Sequence, residues 1–269
     1  MAARRTITGF SNPLVKFLRS LREKKHRKRE RRFLAEGLRL LTDARECGFL
    51  PEILVMATGR DPHPLLDSLE QAVAAAGGDV VEMDVEILAK VTGKDNPQAV
   101  AGVYAEFDTR IGNLERGAAP IWLVAQALRD PGNLGTMLRT GDAVGAGGLI
   151  LLDDCADPFS VEAVRASMGA IFTQKLAVAR WDEFIGWLRR GEGQLVAASL
   201  RDSTDYRTAP YAAPCFLMVG NESQGLPQAY EDACDLRVKI PMRGWADSLN
   251  AAVAGAVLAY EALAHLEAD

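Results

Sequence analysis

The chain has 269 residues, of which 48% are hydrophobic and 25% charged, and a net charge of −5. That composition belongs to a globular protein with one large or two modest cores, and it excludes a collagenous, low-complexity or disordered chain. The net charge conceals a split. Residues 1–39 hold thirteen Lys/Arg and three Glu, a net of +10, which leaves −15 on the rest, the pattern of a basic arm for an anionic surface on an acidic body.

The cysteines at 47, 155, 215 and 234 form no CxxC pair, so neither a zinc cage nor a disulfide framework is expected and the compartment reads as reducing. The N-terminus lacks a signal-peptide pattern, and no apolar run reaches the about 18 residues of a membrane span. A cytoplasmic protein with no membrane partner is expected.

In chain order, a helix is predicted over residues 10–32, opening at Asn12-Pro13 with Leu14, Phe17, Leu18 and Leu21 on one face. Its second half carries a basic run. Ten Lys/Arg lie between Lys16 and Arg32, and Lys24, Lys25, Arg27, Lys28 and Arg29 are the candidate phosphate contacts, with counterion release supplying affinity without sequence preference, the alternative being a merely solvated helix face. A second helix is predicted from Phe33 to Cys47. Then come strands at Glu52–Met56, Asp79–Met83 and Val100–Phe107, with a helix around Pro64–Ala76. This small α/β domain occupies residues 1–110, and the Gly- and Pro-bearing stretch Ile111–Pro120 reads as a linker.

The second domain, residues 118–269, repeats the α/β rhythm more regularly. Strands are predicted at Ile121–Gln126, Gly148–Leu152, Lys175–Ala179, Gln194–Ser199, Cys215–Val219 and Leu236–Ile240. Continuous apolar strands with helices between them argue for a mostly parallel sheet covered on both faces. Such sheets place ligands at the carboxyl ends of their strands.

Three loops carry candidate chemistry. In Asp130-Pro131-Gly132-Asn133, Asn133 is either a helix cap or a ligand contact, and Arg139 lies within a mostly apolar helix, where a guanidinium would want a phosphate or an internal carboxylate. In Gly220-Asn221-Glu222-Ser223-Gln224-Gly225, Gly220 would let a ligand approach the backbone, and Glu222 is either a site carboxylate or a brace for turn amides. Ser248 is the expected cap of a final helix that begins with Asn250 and runs almost wholly in Ala, Val, Leu and Gly. Such a helix is expected to be buried on all sides, its small residues admitting a neighbouring helix or a second subunit.

The glycines of Gly145-Ala146-Gly147-Gly148 lead from helix to strand, the reverse of a dinucleotide fingerprint, which disfavours an oxidoreductase. With only His26, His63 and His265, no triad or metal site is indicated.

The segments Asn133-Leu134-Gly135, Arg139-Thr140, Gly220-Asn221-Glu222-Ser223-Gln224-Gly225-Leu226, Ile240-Pro241-Met242 and Ser248-Leu249-Asn250 resemble, in order and spacing, the three motifs of the SpoU family. The resemblance covers about residues 120–265, with Ala251-Ala252 departing from the more usual Val-Ser. It implies an RNA ribose 2′-O-methyltransferase of the SPOUT class, a parallel sheet with a trefoil knot, S-adenosylmethionine as cofactor, and a homodimer. Asn12-Pro13-Leu14-Val15-Lys16 and Phe33-Leu34-Ala35-Glu36-Gly37 resemble the small α/β substrate-binding domain that accompanies this family. By family pattern Asn133, Arg139, Glu222, Ser248 and Asn250 would line the catalytic pocket. Ser199, Leu200, Gly220, Ile240, Met242 and Leu249 would hold the cofactor. The proton acceptor stays open between Arg139 and Glu222, the guanidinium being more readily a phosphate clamp than a base. The expected substrate is structured RNA, ribosomal ahead of transfer RNA, with a non-catalytic RNA-binding protein on the same scaffold as the alternative class.

Overall fold

The computed structural model describes residues 5–221 and 223–268. It divides into two compact units. One comprises the chain up to Phe107 together with Asp157–Phe172; the other comprises Asp108–Ala156 and the chain from Thr173 onward.

The first unit opens with β1 (Arg5–Ile7), which pairs parallel with the strand Asp79–Met83 and had no signal in the sequence. The predicted helix over 10–32 is two short helices, α1 (Pro13–Ser20) and α2 (Lys24–Glu30). Asn12 caps α1 by accepting from the Leu14 N–H at 2.9 Å, and Pro13 occupies the first turn, where its missing donor costs nothing. Arg31, at φ 55°, ends α2 in the left-handed region.

Next comes β2 (Arg32–Glu36), where a helix was expected, then α3 (Leu38–Glu46). Phe33-Leu34-Ala35 is apolar on consecutive positions, and both faces of the strand are covered. Its antiparallel register against β5 (Val100–Ala105) sets Phe33 opposite Tyr104. Tertiary pairing overrides the helical propensity of Leu34-Ala35-Glu36. The elements β3 (Ile53–Ala57), α4 (Pro64–Ala75), β4 (Asp79–Met83) and α5 (Val85–Thr92) complete the set, and the sheet order is β1-β4-β3-β5-β2.

The basic run is not a uniformly solvated face. Lys24, Lys25, Lys28 and Arg29 are exposed, but Arg27 is 2% exposed. Its guanidinium donates to Asp157 Oδ2 from Nε at 3.1 Å and from Nη2 at 2.6 Å, and to the Leu21 and Arg22 carbonyls at 2.8 and 2.7 Å. Arg27 is therefore withdrawn from the RNA-contact set. On a single helix it reads as one more exposed cation for a phosphate; the break at residues 21–23 turns it inward.

The second unit begins with β6 (Ile121–Gln126), α6 (Pro131–Ala143) and β7 (Leu149–Leu152). At Asp157 the chain enters the first unit, contributing α7 (Val161–Ala166) and most of α8 (Ala170–Thr173). Phe159 and Phe172 there pack on Phe33 with ring centroids at 5.1 and 6.1 Å, and Phe172 meets Tyr104 at 4.9 Å.

Back in the second unit follow β8 (Leu176–Ala179), α9 (Trp181–Leu188), β9 (Gln194–Ala198), the short β10 (Thr204–Asp205), β11 (Cys215–Val219), α10 (Gln228–Asp232), β12 (Leu236–Lys239) and α11 (Ala251–Ala268). Seven strands form one sheet in the order β10-β12-β9-β11-β6-β7-β8, every pair parallel. Trp122, Phe216, Phe184 and Leu195 fill one side of it, as parallel sheets require. The Gly145–Gly148 run is structural. Gly145 (φ 64°) follows the end of α6, and a Cβ on Gly147 would lie 2.4 Å from the Trp122 ring.

Candidate active site

The carboxyl ends of three neighbouring strands, β12, β9 and β11, converge on a cleft of ≈ 510 Å³. This is where an open α/β sheet holds its ligand, and the volume suits a nucleoside-sized molecule. Ser199 and Leu200 follow β9, Gly220 follows β11, and Ile240 and Met242 follow β12. All five line the cleft with Leu249. The final helix supplies Ala251, Ala254 and Leu258 to the same wall.

Gly220 has a reason of its own. A Cβ there would fall 2.5 Å from the Gly225 carbonyl carbon and 2.6 Å from the Leu226 nitrogen. The missing side chain lets the loop fold back on itself, closed by the bridge between Asn221 and Gly225 and by Asn221 Oδ1 accepting from the Ser223 N–H at 2.9 Å. Asn221 Nδ2 also donates to the Ala127 carbonyl at 3.0 Å, tying this loop to the end of β6. Glu222 lies outside the described residues.

Beside the cleft two asparagines meet. Asn250 Nδ2 donates to Asn133 Oδ1 at 2.9 Å, joining the N-terminal ends of α11 and α6. Asp130, not Asn133, caps α6, accepting from the Asn133 N–H at 2.7 Å. The expected cap at Ser248 also moves. Asn250 Oδ1 accepts from the Ala252 and Val253 amides at 3.0 and 3.3 Å, whereas Ser248 Oγ donates to Asp247 at 3.0 Å. Asn250 thus spends its oxygen on the helix and its amide on Asn133, which fixes both side chains with one residue.

Arg139, two turns along α6, is exposed rather than partly buried and has no hydrogen bond or ion pair among the described residues. It stands available to an external anion. The small residues of α11 admit a helix of the same chain: a Cβ on Gly255 would sit 3.5 Å from Met137 of α6. The helix is not covered all round, since Val253 and Tyr260 are 46% and 56% exposed along one stripe.

The sequence reading did not include Glu231 and Asp247, both of which line the cleft. Neither lies in a motif, and Glu231, on α10, is joined to the end of β9 by the hydrogen bond it accepts from Ser199 Oγ. Among the described residues no cluster of His, Cys, Asp and Glu could hold a metal ion, and no helix is long and apolar enough to cross a membrane.

A parallel sheet with a cleft at the carboxyl ends of its strands is the arrangement in which an α/β protein holds a small ligand. The family model described as SpoU rRNA Methylase matches residues 120–260, and that of the MRM3-like substrate binding domain matches residues 12–102. The chain belongs to the SpoU rRNA methylase family. It is 30% identical to the 23S rRNA (guanosine(2553)-2'-O)-methyltransferase RlmP of Bacillus subtilis, covering 94% of this chain and 97% of that protein. It is 29% identical to the 23S rRNA (uridine(2479)-2'-O)-methyltransferase of Streptomyces viridochromogenes, over 97% and 92%. Among solved structures, the AdoMet-bound rRNA methyltransferase from Sinorhizobium meliloti superposes with a TM-score of 0.91 at 39% identity, over 97% of this chain and 98% of that one.

Proposed function

We propose that the protein transfers a methyl group from S-adenosylmethionine to a ribose 2′-hydroxyl of large-subunit ribosomal RNA, acting in the cytoplasm as a homodimer. The observation that carries this reading is the cleft at the ends of β12, β9 and β11 abutting the Asn133–Asn250 pair. The two ribosomal relatives act on a guanosine and a uridine, and what those nucleotides share is the ribose.

The cleft fits the cofactor chemically. Apolar walls from Val219, Ile240 and Leu249 suit the adenine ring, and Asp247 supplies negative charge for a cationic ligand. Bound there, S-adenosylmethionine brings an already activated methyl group. The protein's share is then alignment and proton handling. Asn133 and Asn250 orient the ribose. Arg139 clamps a flanking phosphate, as its planar fork suits, and stabilises negative charge developing on the attacking oxygen, while the 2′-hydroxyl proton passes to the Glu222 carboxylate, directly or through water. The first unit gathers structured RNA through the exposed cations Lys24, Lys25, Lys28 and Arg29. The exposed Val253–Tyr260 stripe of α11 supports the dimer, because an apolar helix face of this kind favours burial against a partner.

The test is single-turnover methylation of ribosomal RNA with labelled S-adenosylmethionine, the product nucleotide being mapped by its resistance to alkaline cleavage. Arg139→Ala is expected to lower turnover by at least about a hundredfold, the scale of losing one transition-state contact, while cofactor binding by calorimetry is retained. Unchanged turnover refutes the assignment of Arg139. Methyl incorporation that leaves every ribose alkali-sensitive refutes the 2′-O reading.

A further inference from the structure

One wall of the cleft hangs on a carboxylate that lies in none of the motif loops. After β9 the chain makes a tight turn, Ser199-Leu200-Arg201, in which Ser199 Oγ accepts from the Arg201 N–H at 3.0 Å. The same hydroxyl donates to Glu231 Oε1 at 2.5 Å. The other carboxylate oxygen, Oε2, accepts from Arg201 Nε at 2.9 Å, and Asp232 takes the Nη2 of the same guanidinium. Glu231 therefore grips both ends of a three-residue turn.

Between those ends Leu200 projects with 71% of its surface exposed while lining the cleft. A large apolar side chain held in water next to an apolar cavity gains burial only when something fills the cavity. The grip itself is anchored. Tyr230, the residue before Glu231, stacks on Trp181 at 3.8 Å between centroids and donates its hydroxyl to Asp153 Oδ2 at 2.9 Å. Charge-assisted hydrogen bonds from a fixed helix are the kind of support that holds a binding wall in place.

We propose that Glu231 is a positioning residue that holds the Ser199–Arg201 turn so that Leu200 closes over the cofactor. The inference rests on the reading of the cleft as the S-adenosylmethionine site. Glu231 does not touch the RNA or the reacting atoms in this scheme, so its loss acts on cofactor affinity.

The experiment compares wild type, Glu231→Ala, Glu231→Gln, Leu200→Ala and the Glu231→Ala/Leu200→Ala pair by calorimetry with S-adenosylmethionine and by steady-state kinetics on RNA. Glu231→Ala is expected to raise Kd and KM for the cofactor about tenfold, the loss of one charge-assisted bond, with a much smaller fall in kcat at saturating cofactor. Glu231→Gln can still accept from Ser199 but not from Arg201, and is expected to lie between. The double variant is expected to bind no more weakly than the poorer single variant, because both act through one wall. Leu200→Ala removes an exposed side chain and keeps the test informative if Glu231→Ala unfolds. Unchanged Kd in both single variants, additive losses in the pair, or a fall confined to kcat overturns the proposal. Wild-type protein that binds no S-adenosylmethionine overturns instead the assignment of the cleft.

Discussion

Replacing Arg27 with alanine would open a buried ion pair and strand its partners. Asp157 keeps one hydrogen bond, from the Phe159 N–H to Oδ1 at 3.0 Å, but its Oδ2 loses both guanidinium donors, and the Leu21 and Arg22 carbonyls lose theirs. The side chains of Arg27 and Asp157 are 3% and 12% exposed, so water compensates poorly. Removing one partner of such a pair costs about 3–5 kcal/mol, a large share of the roughly 5–15 kcal/mol that holds a domain together. A convenient division of probes exists, because all four tryptophans (Trp122, Trp181, Trp187 and Trp245) lie in the second unit. Urea unfolding followed by far-ultraviolet circular dichroism sees both units, whereas tryptophan fluorescence sees one. Arg27→Ala is expected to add an early circular-dichroism transition that fluorescence follows weakly. Arg27→Lys, which lacks the fork, is expected to fall between, and Asp157→Asn combined with Arg27→Ala to cost less than the sum of the two. A destabilisation under about 1 kcal/mol, as for a surface arginine, together with weakened RNA binding, would refute the structural assignment and restore Arg27 to the RNA surface.

Changing Lys24, Lys25, Lys28 and Arg29 together to Gln is expected to leave stability nearly unchanged and to lower the slope of log affinity against log salt by about 3–4 for the structured target RNA; an unaltered slope would return them to a solvated face. Burial pushes the Cys155 thiol up to about 11 and those of Cys215 and Cys234 up to about 12, and Cys47 is exposed. A raised thiol pKa means less thiolate, roughly one part in a thousand at pH 8 for Cys155, so a thiol reagent is expected to label Cys47 first in the native protein, the half-buried Cys155 and Cys234 slowly, and the buried Cys215 only at the unfolding rate. Rapid native labelling of Cys155 or Cys234 would contradict their packing. Tyr260→Lys, with Val253→Lys, is expected to turn the sedimenting species from dimer to monomer at micromolar concentration; monomeric wild type would remove α11 from any interface.

Much of the catalytic half was legible because its signals are local. Six of its strands are apolar runs punctuated by turn residues, and they fall within a residue or so of prediction. Cap geometry was harder. Ser248 and Asn250 both suit a helix start, and only the partners of Asn250, the α11 amides on one side and Asn133 on the other, decide between them. Gly220 shows a different gap: the glycine was conspicuous, but its cause, a loop returning to within 2.5 Å of the missing Cβ, is a contact across five residues that no spacing rule contains. The first half misled more. Phe33-Leu34-Ala35-Glu36 has helical propensity and becomes a strand because β5 is there to pair with it. β10, two residues long, and β1, three, are too short for periodicity to register. Arg27 differs from its basic neighbours only through Asp157, 130 positions away.

That the first unit is finished by Asp157–Phe172 has a consequence for synthesis. A ribosome delivers Phe33, Tyr104 and Phe107 long before the two phenylalanines that cover them, Phe159 and Phe172. At 5–20 residues per second, the roughly 65 residues between Phe107 and Phe172 take about 3–13 s. For that interval the nascent chain carries an open aromatic face, sticky to other nascent chains and a natural target for a chaperone. A gene cut just after Phe107 would make the interval permanent.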